Sequence, residues 1–282
     1  MRDGASWSAA SDARSGLALA RSGGKPMADA APRASLLRLD GVSRHFGTLR
    51  AVEDVSFEMA QGELRAVIGP NGAGKTTFFN LITGFHAATA GTISFDGEDI
   101  TALPVARRVA RGIVRTFQIT EVFHDLSVFE NIRVAVETAA GTNARPWIPR
   151  AARRKLDARV DEIIATVDLA GKAERVVGEL PHGDQRVVEV AMALSMQPRL
   201  LLLDEPTAGM GDAETDHMVE LVRRLHRDHG LSILFIEHDM DIVFGIAERI
   251  TVLDQGRKLA EGTPEEISAD ERVRAAYLGE AE

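Results

Sequence analysis

Cysteine is absent from the 282 residues. That excludes a disulfide scaffold, a thiolate zinc site and thiol catalysis. Long hydrophobic runs are also missing. Stretches such as Leu200 to Leu203 fall far short of the ~20 residues a membrane helix needs, so any membrane role runs through a partner. Positive charge is in deficit, with 33 Lys and Arg against 42 Asp and Glu and a net charge of -9. Such a balance gives no support to a protein that tracks nucleic-acid phosphates. It does not forbid a small polyphosphate, because surface charges are screened beyond about 8 Å and a local site can override the total. Proline is sparse, 10 residues against 25 glycines, and 45% of the chain is hydrophobic, which excludes collagen and global disorder.

A chain of this length buries roughly three quarters of its unfolded surface and folds without metal or disulfide. It fits about two domains or one large α/β domain. Residues 1–34 stand apart: rich in Ala, Ser, Gly and Arg, nearly free of bulky apolar side chains. They are expected to be a disordered or mis-assigned start. Gly16 to Ala20 is too short for a signal-peptide core, and Asp3, Asp12 and Asp29 argue against a transit peptide. Met27 is a plausible start.

From Leu36 onward the pattern is regular. Val55, Phe57 and Met59 alternate with polar residues as in a half-buried strand. Glu63 to Ile68 predicts a short strand, 74–83 a helix, and Thr92 to Phe95 a strand closed by an Asp96-Gly97 turn. The middle, about 119–197, reads as helical. Ser127 and Glu130 form a capping-box pattern. A break with two prolines and Trp147 follows, then helices over about 150–168 and from about Asp184 to Met196. Met192 and Met196 fit the core. The basic run Arg150 to Lys155 fits a solvated helix start or a face toward anionic lipid. The last third alternates strands Leu200–Leu203, Ile233–Ile236 and Ile250–Leu253 with helices 213–228 and 239–247. The last of these strands leads to a Gln255-Gly256 turn. Such alternation predicts a parallel sheet covered on both faces.

One motif dominates. Gly69-Pro70-Asn71-Gly72-Ala73-Gly74-Lys75-Thr76 fits G-x-x-x-x-G-K-[ST] and lies between a predicted strand and helix. Glycines let the backbone wrap phosphate with its N–H groups pointing inward. The helix start adds about half a positive charge. Lys75 suits the β- and γ-phosphates and the Thr76 hydroxyl suits Mg²⁺. The alternative is an ordinary glycine-rich turn. Leu200 to Leu203 runs into Asp204 and Glu205, two carboxylates where open α/β sheets bind ligands. Asp204 suits Mg²⁺ and Glu205 suits the attacking water. Gln118 and His238 also follow predicted strands. Each is otherwise an ordinary solvated or capping residue.

Together these motifs resemble the nucleotide-binding subunit of an ABC transporter over residues 36–279. Phe46 resembles the aromatic that stacks on adenine, with a core role as the alternative. Gln118 resembles the Q-loop glutamine, Asp204 and Glu205 the Walker B pair, and His238 the switch histidine. Leu180-Pro181-His182-Gly183-Asp184-Gln185 falls where the signature LSGGQ belongs. The resemblance implies an α/β, P-loop NTPase (ABC-type) core with a parallel sheet. It adds an antiparallel β subdomain and an inserted α-helical subdomain at about 119–197, with the whole cassette at 35–279 and a tail at 280–282. It implies ATP bound by Phe46, Gly69 to Lys75, Thr76, Thr77 and, across a dimer, Pro181 to Asp184. Mg²⁺ falls to Thr76, Gln118 and Asp204, and catalysis to Lys75, Gln118, Glu205 and His238. Three places depart from the pattern. Pro181 replaces the signature serine and lacks its hydroxyl and N–H, leaving Gly183 and the following helix start as donors. His182 replaces a glycine. Asp212, in Ala208-Gly209-Met210-Gly211-Asp212, reads as the cap of the next helix.

Longer strings narrow the resemblance. Gly112-Ile113-Val114-Arg115-Thr116-Phe117-Gln118, Leu126-Ser127-Val128-Phe129-Glu130-Asn131, Glu237-His238-Asp239-Met240 and the ending Glu261-Gly262-Thr263-Pro264-Glu265-Glu266 resemble branched-chain amino-acid importer ATPases. The nearest is the longer of that family's two paired types, with Arg145 to Ile148 in its extension. Importer function implies transmembrane permease subunits contacted around 119–135 and a second ATPase subunit, identical or not. It also implies a substrate-binding protein acting indirectly, a peripheral place on the cytoplasmic face of the inner membrane, and no nucleic acid. Urea importers share the 208–215 string, and lipopolysaccharide exporters share the ending. A soluble, non-transport ABC ATPase is the remaining class, and it lacks here its usual tandem cassettes or coiled coils.

Overall fold

The computed structural model describes residues 34–116, 122–142 and 149–278, all within one unit spanning Pro32–Glu282. The N-terminal extension, Gln118, Trp147 and the tail at 280–282 lie outside the described residues.

Strands β1 (Ser35–Phe46) and β2 (Leu49–Ala60) pair antiparallel across a turn at Gly47, whose φ is 61°. Val55, Phe57 and Met59 are buried as the alternation predicts. After β3 (Leu64–Ile68), helix α1 (Lys75–Thr83) leads to β4 (Ala90–Phe95) and β5 (Glu98–Asp99). Asp96 and Gly97 between them both have positive φ, as a two-residue hairpin turn of type I′ requires. These strands make a sheet in the order β2-β1-β4-β5.

Next come α2 (Val105–Val109), β6 (Ile113–Arg115), α3 (Val128–Ala139), α4 (Arg150–Thr166) and α5 (His182–Ser195). The capping box is formed: Ser127 N donates to Glu130 Oε2 at 2.8 Å, and Glu130 N to Ser127 Oγ at 3.2 Å. Helix α5 starts two residues earlier than the sequence suggests. Pro181 at its N-cap has no N–H to satisfy, and Lys172 and Glu214 hold the first turn from outside. Met192 and Met196 pack on the core. Arg150, Arg153, Arg154 and Lys155 are exposed, as a solvated helix start requires.

The chain then alternates: β7 (Leu200–Asp204), α6 (Asp212–His229), β8 (Ser232–Ile236), α7 (Met240–Ile246), β9 (Arg249–Asp254), β10 (Arg257–Gly262), α8 (Pro264–Ala269) and α9 (Glu271–Leu278). The second sheet runs β10-β9-β3-β8-β7-β6, parallel except for the β9–β10 hairpin. Its strands are buried on both faces. In β7, Leu200 and Leu202 point into a core shared with α1 and the antiparallel sheet. Leu201 and Leu203 point into a core built with α3 to α7. A strand buried on both sides has no polar position to spare, so its sequence is a run of leucines. Helix α6 meets the same core through Met218, Leu221, Val222 and Leu225, one stripe at helical spacing.

Candidate active site

In this sheet β3 lies beside β8, which lies beside β7, which lies beside β6. All four are parallel, so their carboxyl ends form one edge. That edge carries the phosphate loop after β3, His238 after β8, and Asp204 and Glu205 at the end of β7. Three predicted groups from distant parts of the chain therefore meet by topology alone.

The phosphate loop is glycine-dependent for steric reasons. Gly69 and Gly74 have φ of 152° and 98°. A Cβ on Gly69 would fall 2.0 Å from Leu253 O, and one on Gly74 2.3 Å from Ala51 O. The loop is thus locked against the strands behind it while its open side carries exposed Asn71, Gly72 and Thr76. Lys75 is buried, and its Nζ donates to Gly69 O at 2.6 Å and Pro70 O at 2.9 Å. The ammonium therefore lies across the loop that an anion would fill. Thr77 is half-buried behind Thr76.

Asp204 is 2% exposed and ion-paired through Oδ2 with Arg115 of β6. Arg115 also donates to Asn80 Oδ1 of α1 at 2.6 Å. Asp204 Oδ1 is buried and has no hydrogen-bond partner among the described residues. A buried, unsatisfied carboxylate oxygen is costly and calls for a cation or a cation's water. Among the described residues no three acidic or histidine side chains converge as a metal cage. One carboxylate, one hydroxyl and substrate phosphates suit Mg²⁺, which is rarely held by protein alone. The residues present fit that ion.

Glu205 turns the chain sharply at φ 50°, and its N–H donates to Ile236 O at 3.0 Å. Its Oε1 is 2.8 Å from His238 Nε2. Half of the His238 side chain and a fifth of that of Glu205 are exposed, so the pair faces solvent on the shared edge.

The signature residues stand elsewhere. Pro181 caps α5, and His182, Gly183 and Asp184 form its first turn. Asp184 is ion-paired with Lys172 at 2.6 Å. The Gly183 amide, singled out above as a replacement donor, is engaged by Glu214 Oε1 at 3.1 Å. Asp212 does not cap α6. Gly211 is the N-cap, and Glu214 Oε2 accepts its N–H at 3.3 Å, because a side chain three residues on can reach back. Phe46 is not a core residue: it is 38% exposed, edge-on to His86 and covered by the Arg44 guanidinium. Arg115, Glu214 and Glu237 were given no role from sequence. All three sit inside strings quoted above for the resemblance, and nothing in those strings marks what their side chains hold.

Residues 52–208, more than half of the chain, match the ABC transporter family. The chain belongs to that family. Residues 257–282 of the chain also match the family described as Branched-chain amino acid ATP-binding cassette transporter. The chain is 43% identical over 252 residues to the high-affinity branched-chain amino acid transport ATP-binding protein LivG of Salmonella typhimurium, covering 87% of this chain and 98% of LivG. BraF of Pseudomonas aeruginosa, of the same description, is 40% identical over the same shares. A solved nucleotide-free ATP-binding cassette from an ABC transporter superposes with a TM-score of 0.76 at 29% identity, covering 86% of this chain and 99% of that one. The ADP conformation of MJ1267, another ABC cassette, gives 0.77 at 29% identity, with 87% and 99% covered. The α/β P-loop fold and the ATPase class expected from the sequence are both borne out. No helix among the described residues is long and apolar enough to cross a membrane.

Proposed function

We propose that this cassette hydrolyses ATP to power import of branched-chain amino acids through permease subunits, acting with a second ATPase subunit on the cytoplasmic face of the membrane. A substrate-binding protein would deliver the amino acid from the other side. The observation that carries the hydrolytic reading is the common strand edge holding the phosphate loop, Asp204 and the Glu205–His238 pair. The transported class follows from the printed functions of LivG and BraF and from the match at 257–282. That match also favours this reading over lipopolysaccharide export.

The chemistry is positioning and charge stabilisation. Loop amides between Gly69 and Gly74 surround the phosphates. Lys75 exchanges two loop carbonyls for phosphate oxygens. Phe46 offers an exposed ring to adenine. Thr76, Asp204 Oδ1 and Gln118 would hold Mg²⁺, which neutralises phosphate charge. Glu205 orients water at the γ-phosphorus, and His238 is poised between Glu205 and the γ-phosphate. The water oxygen bonds to phosphorus as the bond to the β-phosphate oxygen breaks, giving ADP and phosphate. Pro181 to Asp184 would complete the site of the opposite subunit.

Uptake of labelled leucine and labelled urea by cells carrying native chain or Lys75→Ala tests the reading. Loss of leucine uptake alone supports it. Loss of urea uptake alone reassigns the cargo, and retention of both overturns the importer reading.

A further inference from the structure

We propose that Glu237 is a positioning residue for hydrolysis, a buried carboxylate that fixes the Glu205 turn and the His238 backbone to each other. The proposal rests on the reading of Glu205 and His238 as the hydrolytic pair.

Glu237 follows β8 directly and is only 4% exposed. Its Oε1 accepts the Thr207 amide at 3.0 Å and the Thr207 hydroxyl at 2.6 Å. Its Oε2 accepts the His238 amide at 3.2 Å. Around it lie Leu203, Met218, Val222 and Phe235, which line the same small cavity. A carboxylate costs more in such a place than an aliphatic side chain would, unless charge-assisted hydrogen bonds compensate it. All three of the hydrogen bonds described go to the two segments that carry the proposed hydrolytic pair. Thr207 stands two residues after Glu205, and His238 is the next residue after Glu237.

Glu205 itself is held at φ 50°, a conformation that a residue with a Cβ keeps only when its surroundings impose it. Upstream, its N–H is tied to Ile236 O. Downstream, the turn is tied at Thr207 by Glu237. With both sides anchored to the end of β8, Glu205 Oε1 falls 2.8 Å from His238 Nε2. The order of that contact is set by one buried side chain outside the pair.

Steady-state ATP hydrolysis by the full chain tests this. The variants are Glu237→Gln, Thr207→Val, Thr207→Ser, His238→Ala and the Glu237→Gln/His238→Ala double. Gln keeps the size and one acceptor, but its NH₂ faces the His238 N–H with a second donor. Expected for Glu237→Gln is a kcat about tenfold lower with KM for ATP changed by less than about twofold, since only the reacting geometry moves. Thr207→Val falls in the same direction, and Thr207→Ser, which keeps the hydroxyl, restores the rate. The double variant loses less than the product of the two single losses, because Glu237 acts through that pair. A lowered melting temperature with kcat intact, or losses that multiply in the double variant, overturns the proposal in favour of a purely structural role. If Glu237→Gln does not fold, the Thr207 pair decides alone. Full activity in both His238→Ala and Glu205→Gln would instead refute the hydrolytic pair itself, an outcome read independently of Glu237.

Discussion

Gly183 donates its amide hydrogen to Glu214 Oε1 at 3.1 Å, which fastens the first turn of α5 to the first turn of α6. The approach is close. A Cβ on Gly183 would lie 2.8 Å from Cβ of Glu214. Gly183→Ala should therefore push the two helix starts apart and cost about 1–3 kcal/mol in urea unfolding. ATP hydrolysis should fall with it, since the signature turn loses its anchor. Unchanged stability would show that the helices separate freely.

Removing Arg115 leaves Asp204 buried and unpaired. Breaking a buried pair from one side costs about 3–5 kcal/mol, so Arg115→Leu should melt well below the native chain. Adding Mg²⁺ with ADP should then raise its melting temperature more than that of the native chain, because the cation replaces the lost guanidinium beside Asp204. Equal increments in the two proteins would place the metal away from Asp204.

Arg108 is 1% exposed and spreads its guanidinium over carbonyls of Leu81, Ile82, Thr101 and Leu103 at 2.5, 2.8, 2.9 and 2.9 Å. Burial pushes its pKa down to about 10, partly opposed by Asp99. It tethers the end of α1, the helix whose start holds the phosphates. Arg108→Ala should destabilise by about 3 kcal/mol through lost hydrogen bonds and a cavity. Lys at this position should not rescue, having no fork with which to reach several carbonyls. Chemical denaturation of the three proteins checks both statements.

Asp270 is held at about 2 by the Arg272 side chain, below its ordinary 3.8. A carboxylate depressed on folding stabilises above its unfolded pKa, and that contribution is lost as pH falls through the folded value. Asp270→Asn should thus lower the melting temperature at pH 7. The difference should shrink between pH 4 and pH 2, the window from 3.8 to about 2, and vanish below it. Asp270 is half-buried but its partner Arg272 is exposed, so the effect is small and weakens in salt. A difference that persists at the lowest pH would mean the side chain acts through shape.

The phosphate loop, the leucine strand β7 and the Ser127 cap were legible because each is local. Loop glycines answer to their own φ angles, strand leucines to burial on both faces, and the cap to a three-residue spacing. The start of α5 and the cap of α6 were misplaced because both depend on Glu214, which reaches Gly183 across 31 positions of sequence. Glu237 was invisible for the same reason. Its partner Thr207 is 30 residues away, and nothing in the local string shows that its carboxylate is buried.

By itself, the sequence determined the alternation of strands and helices after Leu200, the phosphate loop and the identity of the acidic and histidine groups, since those follow from periodicity, steric demand and charge within a few residues. Only the tertiary structure decided which oxygen of Asp204 is left for a cation, which carboxylate holds Gly183, and how Glu205 comes within reach of His238. Those outcomes depend on strand order and on hydrogen bonds between segments 30 or more residues apart. Each such bond is worth little until the sheet has brought its ends together.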